Sequence, residues 1–169
     1  MEISTAVIKE LRSQSGAGVM DCRNALVQTN GDMAKALELL KEQGYAKAQK
    51  KAARSASQGL VEAYIHTGGR IGAIVEINCE TDFVARTNEF KALAHDLAMQ
   101  VAACSPQFIS EKEVPPGADP DLDTRSACLL LQPFIKSPDK TVQDIITEAI
   151  ARIGENIKVS RFARFGLGE

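Results

Sequence analysis

The chain has 169 residues, of which 44% are hydrophobic and 25% charged, with a net charge of -2. These proportions fit a globular protein of one domain or two small ones, and the near-zero charge supplies no bulk attraction to nucleic acid or to a membrane surface. Four cysteines (Cys22, Cys79, Cys104 and Cys128) form no CxxC pair and stand beside only two histidines, which argues against a zinc site and for reduced, buried thiols in a cytosolic protein.

From the start, MEISTAVIKELR mixes acid and base early and lacks the apolar stretch of a signal peptide. Ser4 or Thr5 is placed to cap a first helix with Val7, Ile8 and Leu11 on one face. SQSGAG breaks it, with Gly16 and Gly18 allowing left-handed turn geometry. Asp21 is expected to cap a second helix whose Cys22, Ala25 and Leu26 point one way, and TNG to stop it. Asp32 caps a third, striped by Met33, Ala36, Leu37 and Leu40, with Gly44 as its stop. Residues 1–45 therefore read as a three-helix domain, its helices too short to persist unless packed on one another. The next stretch, AKAQKKAARSASQ (46–58), holds Lys47, Lys50, Lys51 and Arg54 and no acid. It reads as a basic, partly helical linker, or as a patch for an acidic surface on RNA or protein.

The texture changes at Gly59. GLVEAYIHTGGRIGAIVEINC is two strand-like runs around a TGGR hairpin signal, with Val61, Ala63 and Ile65 alternating in the first and Ile71, Ala73, Val75 and Ile77 in the second. A helix from Asn88 to Ala103 follows, capped by Thr87 or Asn88 and striped by Phe90, Leu93, Leu97 and Val101. Residues 105–124 concentrate prolines and acids and read as an irregular loop. ACLLLQPFI is expected as a strand, Thr141 as the cap of a helix carrying Val142, Ile145, Ile146, Ala149 and Ile153, Gly154 as its stop, and NIKVSRFARFGLG as a last strand. Residues 59–169 thus read as an α+β core with an antiparallel sheet packed against helices.

The residues offer little for covalent chemistry. There is no nucleophile elbow, phosphate loop, dinucleotide fingerprint or HExxH. His66 lies at a hairpin end and His95 on the polar side of a helix, and the pair Glu80 and Asp82 has no evident third ligand for a metal. Phe83 stands out instead. In ETDFVARTNEF (80–90) it occupies a strand-to-helix junction where a polar residue would serve. Two readings are open: a core anchor tucked under its own domain, or an exposed anchor for a partner's pocket, with Asp82 orienting it by accepting hydrogen bonds or pairing with a base.

ETDFVARTNEF after VEINC, GAGVMDCRNAL near the N-terminus and IGENIKVSRFARF near the end closely resemble, in order and spacing, the bacterial elongation factor Ts family over nearly the whole chain. The resemblance implies a cytoplasmic guanine-nucleotide exchange factor for elongation factor Tu, with no covalent chemistry and no cofactor. It also implies a ubiquitin-associated-like N-terminal domain of three helices before the α+β core. It assigns Thr81, Asp82, Phe83 and Val84 to dislodging Mg²⁺ from Tu, with Phe83 wedged between Tu side chains. It assigns Arg12, Val19, Met20 and Arg23 to contact with the nucleotide domain of Tu. The family often has Lys at position 23 and Met at position 19, so those contacts differ here.

The 105–124 loop stands where many members carry a long helical insertion and a second core subdomain, so this is expected to be a short, single-core form. Similar short forms pair through their sheets, which implies a homodimer. The RFARF segment would serve that pairing or a Tu contact. Neither a membrane nor direct nucleic-acid binding is expected. Two rival classes remain: an adaptor acting through the three helices, whose binding would survive loss of residues 59–169, and an RNA binder acting through Lys47 to Arg54, whose affinity would fall steeply with salt.

Overall fold

The structure is a computed structural model that describes residues 3–169. The chain divides into two compact units. One takes in the residues up to Ala53 together with Thr147–Glu155; the other comprises Arg54–Ile146 and Asn156–Glu169.

Three helices build the first unit: α1 (Thr5–Ser15), α2 (Val19–Gln28) and α3 (Met33–Lys51). Ser4 caps α1 by accepting from the Val7 N–H at 3.4 Å. Gly16 ends it at φ +67°, where a side chain would be strained. The cap expected at Asp21 lies elsewhere. Helix α2 begins at Val19 behind Gly18, so Asp21 sits inside the first turn, and its carboxylate instead takes Lys47 Nζ at 2.9 Å. Asp32 caps α3 as expected, accepting from Lys35 N–H. Ile8, Leu11, Cys22, Ala25, Leu26, Ala36 and Leu40 form the shared core. Leu37, assigned to the buried stripe, is exposed, and Leu39 packs against the core instead.

Helix α3 does not stop at Gly44. It runs on to Lys51, through part of the stretch expected as linker, and Gly44 is buried within it. The glycine marks a close approach rather than a terminus: a Cβ there would lie 3.5 Å from that of Ala151.

In the second unit β1 (Gln58–Ile65), β2 (Ile71–Cys79) and β5 (Lys158–Gly166) form an antiparallel sheet in the order β1-β2-β5. Gly68 and Gly69 turn the β1–β2 hairpin with positive φ. Helix α5 (Asn88–Cys104) starts at Thr87, whose hydroxyl accepts from Phe90 N–H, and packs on β1 and β2. Its stripe Phe90, Leu93, Leu97 and Val101 is buried over Ala73, Val75 and Ile77.

The two apolar alternations of the hairpin lie on opposite faces. Ala63 pairs with Ile74 and Ile65 with Gly72, so the Val61–Ala63–Ile65 set sits back to back with Ala73, Val75 and Ile77. The face turned away from α5 therefore exposes Val61, Ala63, Ile65, Ile74, Ala163 and Phe165.

ACLLLQPFI is not a strand. It passes through a short helix α6 (Thr124–Ala127), a 3₁₀ turn at Leu129–Leu131 and a two-residue strand β3 (Pro133–Phe134) that pairs with β4 (Ser137–Thr141). Buried Gln100 holds the end of this segment. Its Nε2 donates to Gln132 Oε1 and to the Pro133 carbonyl at 3.1 Å, and its Oε1 accepts from Ile135 N–H at 2.9 Å. Earlier in the segment other backbone serves: Leu129 N–H donates to the Phe108 carbonyl and Leu130 N–H to that of Ile109, while Leu131 and Gln132 bond back to Cys128 and Leu129. Helix α7 (Val142–Ile153) opens with a reciprocal cap, Thr141 Oγ1 accepting from Asp144 N–H and Asp144 Oδ2 from Thr141 N–H. Gly154 ends it at φ +89°.

Candidate partner-binding site

Between β2 and α5 the chain makes a single helical turn, α4 (Asp82–Ala85). Thr81 is its N-cap, the hydroxyl accepting from Val84 N–H at 3.4 Å, while the Cys79 thiol donates to the Thr81 carbonyl. Ala85 is buried and roots the turn. Asp82 is paired with a base from its own turn, Arg86 Nη2, at 2.8 Å. Phe83 is 78% exposed. That excludes the core-anchor reading: the ring is held outward by a turn whose Ala85 is buried and whose Val84 is half-buried.

A further support lies beneath the turn. Glu80 Oε1 accepts from the Asn156 N–H at 2.7 Å and lies 3.6 Å from Arg54 Nη1. The Asn156 side chain donates to the Arg54 carbonyl at 2.9 Å. In sequence these residues belong to a weak metal pair, the start of the expected last strand and a basic stretch, and no local pattern links them.

The second set of residues lies in the other unit. Arg12 is in the last turn of α1, Val19 and Met20 open α2, and Arg23 follows one turn later. All four are exposed, Val19 and Met20 to 50% and 60%. They flank the Gly16–Gly18 turn but belong to a different unit from Thr81–Val84.

The basic stretch has structural work. Lys47 pairs with Asp21, Lys51 Nζ donates to the Gly154 carbonyl at 2.7 Å, and Arg54 faces Glu80. An RNA-binding role for it is weakened, since two of its four cations, Lys47 and Arg54, face carboxylates within the fold.

Both histidines flank Tyr64. His66 Nδ1 shares a hydrogen bond with the Tyr64 hydroxyl, and His95 Nδ1 lies 3.1 Å from Glu62 Oε1. No group of metal-ligating side chains occurs among the described residues. Burial pushes the Cys104 thiol up, and burial together with Glu111 and Glu113 does the same to Cys128, which disfavours the nucleophilic thiolate. No described helix is long and apolar enough to cross a membrane.

Comparisons with known proteins identify the family. Residues 6–118 match the family model described as Elongation factor TS. The chain is 50% identical to "Elongation factor Ts" of Heliobacterium modesticaldum, over 99% of this chain and 91% of the relative. It is 49% identical to "Elongation factor Ts" of Carboxydothermus hydrogenoformans, covering 99% and 90%. Against the protein of that name from Caldanaerobacter subterraneus the identity is 47%, covering 99% and 98%. These alignments run over 195 positions against the 169 residues of the chain, so each relative carries residues that this chain lacks. With a match of this extent, the chain belongs to the elongation factor Ts family of translation elongation factors.

Proposed function

We propose that the protein is a guanine-nucleotide exchange factor for elongation factor Tu, working in the cytoplasm without covalent chemistry or cofactor. The observation that carries this reading is Phe83, 78% exposed on a capped turn between a strand and a helix. Seating one Phe in a partner's pocket supplies roughly 1.5–3 kcal/mol. If the pocket exists only in the disturbed state of Tu, that contact is differential, and it accelerates GDP loss by roughly 10- to 100-fold. Thr81 and Val84 hold the turn, and Asp82, neutralised by Arg86, orients it. The ion displaced is the Mg²⁺ of Tu, which offsets phosphate charge in the nucleotide site. Arg12, Val19, Met20 and Arg23 supply a second contact with Tu, which fits two exposed apolar residues flanked by two cations.

The face of the sheet turned from α5 supports a homodimer. Val61, Ile65, Ile74 and Phe165 are each large, apolar and substantially exposed there, and a monomer gains nothing from leaving them in water.

The test is the release of labelled GDP from purified Tu with and without the protein. Acceleration that saturates with protein concentration is expected. Release at the spontaneous rate at every concentration would overturn the reading.

A further inference from the structure

We propose that Glu80 is a positioning residue for exchange, holding α4 in the orientation that presents Phe83. The inference rests on the reading of Phe83 given above. Glu80 touches no partner in this scheme; it acts through the turn.

A four-residue helix cannot sustain itself, because the cost of nucleation is not recovered over one turn. Its cap bond from Val84 N–H is long at 3.4 Å, and only Ala85 is buried. The turn packs on β1 and β2, but its backbone bonds are long as well, Ala85 N–H to the Thr81 carbonyl at 3.3 Å and Arg86 N–H to that of Asp82 at 3.2 Å, so freedom at its base would let Phe83 sample more directions. Each would have to be frozen on binding, at a cost in entropy.

Glu80 removes that freedom. It joins the last residue of β2 to the cap Thr81, and its side chain is only 22% exposed. Its Oε1 accepts from the Asn156 N–H, the Asn156 Nδ2 donates to the Arg54 carbonyl, and the Arg54 guanidinium faces the same carboxylate. Three segments distant in sequence thus close a ring beneath α4. Asn156 is 5% exposed, so the ring is anchored in packed structure and not in solvent. Hydrogen bonds to a charged group are the stronger kind, and each has a partner that a truncation would strand. A turn fixed at its base presents its tip in one direction, the condition for a contact made only in the exchange step.

The experiment measures GDP release from Tu as a function of factor concentration for wild type, Glu80→Ala, Glu80→Gln, Phe83→Ala and the double variant Glu80→Ala/Phe83→Ala. Hydrogen exchange of residues 81–86 is followed in parallel. Glu80→Ala is expected to lower the maximal rate on the order of tenfold, with a smaller change in the half-saturating concentration, and to speed exchange in 81–86 while the β1–β2 amides keep their protection.

Glu80→Gln keeps an oxygen acceptor for Asn156 N–H and is expected to restore most of the rate. In the Phe83→Ala background, Glu80→Ala is expected to add little, because its route is already cut. A wild-type maximal rate in Glu80→Ala, or a defect that multiplies in full with that of Phe83→Ala, overturns the positioning role. Should Glu80→Ala fail to fold, Glu80→Gln decides through the same pair of readouts: a rate as low as that of Phe83→Ala, with 81–86 still protected, overturns it. If Phe83→Ala alone is as fast as wild type, the reading of Phe83 has failed, and that result is distinct from all of these.

Discussion

At the scale of single residues, exposure separates roles that residue type leaves open. Phe83 projects from its turn, so Phe83→Ala removes little internal packing and is expected to shift stability by less than about 0.5 kcal/mol. A thermal melt checks this; a loss of several kcal/mol would return the ring to the core. If the ring disturbs the Mg²⁺ site of Tu, chelating the ion should accelerate spontaneous GDP release and shrink the gap between wild type and Phe83→Ala. The same fold defect with millimolar Mg²⁺ and with chelator would leave Phe83 as a binding anchor alone. Glu76 carries a different kind of prediction. The hydrogen bond from Arg161, 2.6 Å away, followed by that from Asn78, holds its carboxyl below the usual carboxylate range. A lowered folded-state value means stability present above the ordinary carboxylate pKa and lost as pH falls through the lowered one. Glu76→Gln is therefore expected to be less stable near neutrality and to converge on wild type in acid. Urea midpoints from about pH 7 to about pH 3 test this, and a gap that does not narrow contradicts it.

At the scale of elements, local signals placed the helix caps well where a side chain does the capping. Ser4, Asp32, Thr87 and Thr141 each bond the N–H three residues on. They failed where packing decides. Gly44 looks like a stop but lies inside α3, because α3 continues beside residues that no local window contains. A consequence follows for Gly44→Ala. The added methyl would meet Ala151 at ordinary contact distance, and φ is not positive there. Relief of glycine's helix penalty should then stabilise the protein by about 0.5–1 kcal/mol. Chemical denaturation would show this as a raised midpoint with an unchanged slope, and a lowered midpoint would mean that the approach is tighter than it looks. The strand expected at ACLLLQPFI failed for a related reason. Its backbone groups are taken up by residues 107–109 and by tight local turns, with Gln100 serving Pro133 and Ile135, partners that no local window contains.

At the scale of the whole molecule, the open face of the β1-β2-β5 sheet dominates. Its apolar residues come from three strands, and on that face Glu76 and Arg161 pair side by side. Placing a charge at Ile74, in the central strand, would strand it against apolar neighbours in any pairing of two such faces. Ile74→Lys is expected to convert a dimer to a monomer in sedimentation equilibrium, with far-ultraviolet circular dichroism unchanged because Ile74 lies outside the buried core. Wild-type protein that sediments as a monomer throughout the micromolar range would refute the pairing.

The residue pattern by itself determined the three N-terminal helices, the β1–β2 hairpin, α5, α7 and the last strand, most caps, the buried stripe of α5 and, through three motifs in order, the family. These depend on neighbours three or four positions apart, or on alternation within one strand, which a linear reading sees directly. What only the tertiary structure decided were matters of partnership across sequence. Alternation told that Val61, Ala63 and Ile65 share a face but not which face, because that depends on register with β2 and on the side α5 covers. The exposure of Phe83 was undecidable from its spacing, since an aromatic at a junction serves a core or a surface equally well. The ring of Arg54, Glu80 and Asn156 joins residues that meet only once the sheet has closed, so no local signal announces it.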